Sequence, residues 1–216
     1  MILIATYLLS ALFSSYWMGV AQLALYTSTG LLALRNSPFR RHTVRLIITG
    51  GVIGSAIMVV LTVLLLRGSS LGLGLAAIWT GILLLLTVML IVRQVLSLPT
   101  VTIQSIYGAL SAYLIIGLMF ASFYSAISHL AGRPFFSPGQ LPHGGPNTTI
   151  FQYFSFTTLT TLGYGDFTAA DNGGRAVAVL EAVAGQIFLA TLVARLVAAF
   201  RPPAEQATDV VADSDK

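Results

Sequence analysis

Residues 157–166 read TTLTTLGYGD, a stretch in which every polar side-chain atom is an oxygen. Threonine hydroxyls, main-chain carbonyls, one phenol and the Asp166 carboxylate suit a hard cation rather than a soft one. Gly163 and Gly165 permit backbone conformations that other residues resist, and so would let successive carbonyls face one way. Several stacked oxygens aimed at one axis replace the hydration shell of a bare monovalent cation. Elsewhere the chain offers little chemistry. It has 7 acidic residues, 3 histidines and no cysteine. That removes disulfides and thiolate metal sites and leaves no visible catalytic constellation, so no enzymatic activity and no cofactor are expected. His42 and His129 read as interfacial, and His143 as a solvated loop residue.

The surroundings are of membrane grade. The chain of 216 residues is 56% hydrophobic and 8% charged, and a span needs about 20 predominantly apolar residues. The run 1–34 has no basic stretch before it, which argues against a cleaved signal peptide; it fits one long span, or a span with an interfacial end. Further spans are expected at about 46–66, 72–92 (ending at Arg93) and 101–130, and a last one at about 174–200. Basic residues fall in the intervening loops, so the net charge of +4 speaks for topology rather than for nucleic acid. Strict alternation puts Arg35, Arg40, Arg41, Arg45, Arg93 and Arg201 on one side, and Arg67, Arg133 and Arg175 on the other. The richer side is assigned to the cytoplasm, with an external N-terminus and an internal C-terminus. The tail 202–216 is polar and acidic and is expected to be disordered.

TTLTTLGYGD therefore lies between the last two spans. Asn147 suits an N-cap, and residues 148–160 can dip into the bilayer as a short helix. Non-helical backbone at that depth is tolerated only when buried in protein or lining a water-filled path. The motif Thr161-Leu162-Gly163-Tyr164-Gly165-Asp166 resembles the selectivity filter of potassium channels, and residues of about 101–201 resemble the outer helix, pore loop and inner helix of that family, most closely bacterial members without a ligand-binding domain. Leu162 departs from the pattern, where Val or Ile is usual.

The resemblance implies an all-α membrane protein of about five transmembrane helices, plus a re-entrant pore helix and filter loop. The carbonyls of Thr161, Leu162, Gly163 and Tyr164, with the Thr161 hydroxyl, would hold K+, and Gly163 and Gly165 would supply the freedom. The Tyr164 ring would brace the filter against Tyr153 and Phe154. Asp166 would stand at the outer mouth, bonded behind the filter or exposed. The pore helix would end near Thr160 with its negative pole toward a cavity.

In the closing helix, Glu181 lies ~15 Å along the axis and is expected behind the filter near Thr157 or Thr158. The other reading is a glutamate satisfied in helix packing without effect on conduction. Gly185 is a bend point or a packing glycine. Gln186 faces the cavity or makes an interhelical hydrogen bond. Val193 and Val197 are candidates for a constriction, and Arg195 for a snorkelling side chain. Ala190, Ala194 and Ala198 form a small-residue stripe for close helix approach. One loop supplies too few oxygens, so four copies are implied around an axis.

The expected function is passive potassium conduction by a homotetramer in a bacterial plasma membrane. The first hundred residues supply about three spans and no ladder of basic residues, so steep voltage dependence is not expected. The alternative is a non-conducting, channel-like sensor or regulatory subunit.

Overall fold

The computed structural model describes residues 53–57, 60, 69–97, 103–140 and 148–199. Within them run four helices: α1 Ser70–Ser97, α2 Ile103–Leu130, α3 Thr148–Leu159 and α4 Asn172–Ala199. Residues 53–57 are also helical, and the Trp79 indole of α1 donates to Ser55 Oγ at 3.3 Å.

Local chemistry sets the ends. Ser69 caps α1, its Oγ accepting from Gly72 N at 3.2 Å. Arg93 does not terminate α1, which runs on to Ser97; arginine is a good helix former, and this one is exposed at the rim. After α2 the chain turns through Gly132 at φ 64°, the left-handed stop that glycine adopts without a Cβ penalty. Asp171 caps α4, Oδ1 accepting from Gly174 N at 2.7 Å, so α4 starts two residues before the expected 174. The other carboxylate oxygen holds Arg133 at 2.6 Å and ties the end of α2 to the start of α4.

α1, α2 and α4 each hold a stretch long and apolar enough to cross a membrane: Ser70–Leu96, Ser105–Leu130 and Asn172–Ala198. α3, at 12 residues, reaches only ~18 Å, short of a ~30 Å hydrocarbon core. The expected runs 1–34, most of 46–66, the cap Asn147 and the tail 202–216 lie outside the described residues.

Two clusters hold α3 in place. Leu84 and Val88 of α1 meet Tyr113, Ile116 and Met119 of α2 and Leu159 at the end of α3. On the other side, Tyr124 of α2 packs with Phe151 and Phe154 of α3 and with Phe135 and Phe136 of the α2–α3 connection. The rings interlock, Phe136 stacking on Phe151 at 5.3 Å and meeting Phe154 edge-on at 5.4 Å. A short antiparallel bridge, Phe136 to Ala169, closes this cluster, with Ala170 N donating to Phe135 O at 2.8 Å and Ser137 N to Thr168 O at 3.0 Å. Lipid tails are as apolar as these side chains, so inside a bilayer the gain comes from close packing and hydrogen bonds.

Candidate functional site

The last turn of α3 folds back on the segment that follows it. Thr161 N donates to Thr158 O at 2.9 Å, and Leu162 N and Gly163 N both donate to Thr157 O, at 2.8 and 3.1 Å. Three consecutive N–H groups thus face the helix. No peptide here is cis, and in a trans unit the carbonyl points opposite to the N–H. The carbonyls of Thr160, Thr161 and Leu162 are therefore aimed away from α3. Every second residue is left-handed: Thr161 at φ 59°, Gly163 at 51° and Gly165 at 79°. Thr161 is not glycine, and that conformation costs an L-residue ~1–2 kcal/mol. Strain of this kind persists only where the surroundings over-determine it, here through the bonds to Thr157 and Thr158.

This strand of carbonyls is bare on its far side. Residues 160–166 are exposed, Leu162 at 55% and Tyr164 at 67%. The expected brace of Tyr164 against Tyr153 and Phe154 is not made within the chain. Tyr153 packs on Phe167 with centroids 5.9 Å apart, and Phe154 is taken up by Tyr124, Phe135 and Phe136. Asp166 is exposed as well and accepts from Phe167 N at 3.1 Å.

Gln140, which sequence reasoning passed over, supports the outer end. Its Oε1 accepts from Thr168 N at 2.8 Å and Thr168 Oγ1 at 3.1 Å, and its Nε2 donates to Gly165 O at 3.5 Å. It sits in a loop rich in proline and glycine, where no periodicity marks it.

Behind α3 the geometry differs from expectation in one respect. Glu181 is fully buried, but its partners are Tyr124 and Ser155, not Thr157 or Thr158. Tyr124 OH donates to Glu181 Oε2 at 2.6 Å, Ser155 Oγ bonds Oε1, and Ser155 Oγ also reaches Gly117 O at 2.6 Å. Thr157 Oγ1 turns instead to Phe154 O at 3.0 Å. One buried knot thereby joins α2, α3 and α4. Nearby, Gly185 acts through close approach rather than as a bend. A Cβ there would stand 2.8 Å from Leu159 O, α4 runs unbroken from Asn172 to Ala199, and the same carbonyl accepts from Tyr113 OH at 3.3 Å.

Gln186, Val193 and Val197 are exposed on α4. With Ala190 their spacing of four, three and four places them on one stripe of the helix. Among the described residues no three His, Cys, Asp or Glu side chains are grouped to hold a metal ion.

Residues 109–201 match a family model described as an ion channel, a stretch that takes in most of α2 and all of α3, the 161–166 segment and α4. No curated protein and no solved structure matches the chain. Similarity to ion channels over this stretch, together with three helices long and apolar enough to cross a bilayer, describes a multi-pass membrane protein.

Proposed function

We propose that the chain is a potassium-selective channel, assembled from four copies, that conducts K+ passively. The carrying observation is the backbone of 161–165. The N–H groups of Thr161, Leu162 and Gly163 are spent on the end of α3 and alternate residues of the segment are left-handed, an arrangement that frees a row of carbonyls to replace an ion's water. Thr161, Leu162, Gly163 and Tyr164 are the coordinating residues in this reading. α3 is a re-entrant pore helix whose C-terminus favours a cation beyond it. The stripe Gln186, Ala190, Val193 and Val197 lines the path below.

Assembly is supported by what one chain leaves uncovered. Only 11% of the most apolar window of α4 is buried, against 50% for α2, and Val179, Leu180, Val183 and Ile187 are exposed on it. Four chains around an axis would cover that face, close the ring of oxygens and give Tyr164 a neighbour to lean on. Gating is read as weakly voltage-dependent: α1 carries one arginine, Arg93, whereas steep gating needs several charges per subunit moving through the field.

The test is a flux assay on the full chain in liposomes under a potassium or a sodium gradient. Potassium uptake exceeding sodium uptake by an order of magnitude or more is expected. Equal fluxes, or none from tetramers verified by mass, would defeat the reading.

A further inference from the structure

The carbonyls that close α3 are bonded one by one. A helix leaves its last four carbonyls without intrahelical donors, and in α3 these belong to residues 156–159. Phe156 O accepts from Thr160 N at 3.1 Å and from Thr160 Oγ1 at 2.6 Å. Thr157 O takes Leu162 N and Gly163 N, and Thr158 O takes Thr161 N. Those donors all come from the four residues that follow the helix. Leu159 O is different: its donor is the Tyr113 phenol of α2, 46 positions earlier, at 3.3 Å. Both residues are buried, in a cluster whose other buried members are aliphatic side chains and Met119. A buried phenol in such company must find an acceptor, and this carbonyl is the one it meets. The Tyr113 ring is held separately, tilted against Phe188 of α4 with centroids 5.9 Å apart. Gly185 covers another side of the same oxygen, where an added Cβ would come within 2.8 Å.

We infer that Tyr113 sets how strongly the negative end of α3 holds the permeant cation, its hydroxyl hydrogen offsetting part of the charge on Leu159 O. The inference rests on the channel reading above. Bare terminal carbonyls give a helix its negative pole, and a cation within reach of the last turn gains from them. A donor hydrogen laid on one of those oxygens cancels part of that field, and does so strongly where little water screens it. Conduction needs binding that is favourable enough for entry and weak enough for exit. The phenol acts on the second requirement: it loosens the hold on the ion without touching residues 160–163.

The experiment titrates KCl into the purified full chain in N-methylglucamine chloride and follows binding by calorimetry, so that affinity is read without conduction. Tyr113→Phe keeps the ring and removes the hydrogen, and K+ should bind it about two- to fivefold more tightly than wild type. A ring-fluorinated tyrosine at the same position is a stronger donor and should bind K+ more weakly than wild type. Phe188→Leu loosens the packing of the Tyr113 ring and leaves the hydroxyl in place. It should lower the melting temperature with K+ affinity unchanged, which separates the charge on Leu159 O from packing around it. Equal or weaker binding in Tyr113→Phe, or tighter binding in Phe188→Leu, overturns the inference and leaves the channel reading standing. Unchanged or tighter binding with the fluorinated ring overturns it even where Tyr113→Phe does not fold. A wild-type chain that binds no K+ overturns both.

Discussion

The two sides of α3 are built on opposite terms. Its back is finished within one chain: Gln152, Ser155 and Glu181 are buried there beside Phe151, Phe154 and Leu159, with Glu181 bonded by Tyr124 and Ser155. Its front is unfinished, a run of exposed residues in which the carbonyls of Thr160, Thr161 and Leu162 face away from the helix and Gly165 O meets only the Gln140 amide among the described residues. The back resists change because a buried polar group left without its partner costs ~1–3 kcal/mol. The front carries a strained backbone instead, and strain needs a rigid support. In the channel reading proposed above, stability falls to one side of a single short helix and ion handling to the other.

The sharpest way to break that division is at the front. Gly163→Ala and Gly165→Ala each force a Cβ onto a left-handed residue, at ~1–2 kcal/mol per copy. Nothing lies within 4 Å of either added Cβ, so the penalty is conformational and local. Loss of the potassium preference, read as a reversal-potential shift toward equal permeability, is expected with tetramer mass and thermal stability nearly unchanged. Retained selectivity in both variants would remove the filter from 161–165.

The back should answer in stability first. Ser155 has one hydroxyl hydrogen and lies against two acceptors, Gly117 O and Glu181 Oε1. The count closes when the side chain at 181 brings a hydrogen of its own, which a glutamine amide also does. Glu181→Ala should therefore destabilise by ~1–3 kcal/mol, visible as a lower melting temperature in detergent, while Glu181→Gln stays close to wild type. An equal fall in both variants would show that the glutamate is needed as a charge.

The smallest effect belongs to the strut at the rim. Gln140→Ala removes an exposed set of bonds to Thr168 and Gly165, worth ~0.5–1.5 kcal/mol. A modest change in the lifetime of conducting openings is expected in single-channel records, with the potassium-to-sodium ratio preserved. Altered selectivity would mean that the outer end of the filter is set by Gln140 rather than by α3.

How much could be read from residues alone differs between the same two sides. Gly163 and Gly165 announce themselves because glycine at alternate positions has a backbone consequence that does not depend on tertiary contacts. The long apolar runs give α1, α2 and α4, since length and hydropathy suffice for a span. Glu181 stands out as an ionisable residue in such a run. Its partners were not legible: helical rise fixes height along α4 but not the direction a neighbouring helix presents. Ser155 and Thr157 are close in height yet about 200° apart around α3. Tyr124, Tyr113 and Gln140 gave no signal, because each works through a contact far away in sequence. Gly185 was left open between bending and packing, and only the position of Leu159 O decides it.

The knot around Glu181 also imposes an order on biogenesis. Tyr124 and Glu181 are separated by 57 positions, and Ser155 and Glu181 by 26, so the carboxyl group is the last of the three to be synthesised. Until it arrives, α3 is a helix too short to anchor itself, with a serine that has only the Gly117 carbonyl to bond and a phenol of α2 waiting for its acceptor. Long-range contacts of this kind form late because the chain between them must first be closed. Insertion of α4 is thus the step that fixes α3, and a nascent chain halted before residue 181 would offer the quality-control machinery of the membrane an unsatisfied polar pair inside lipid.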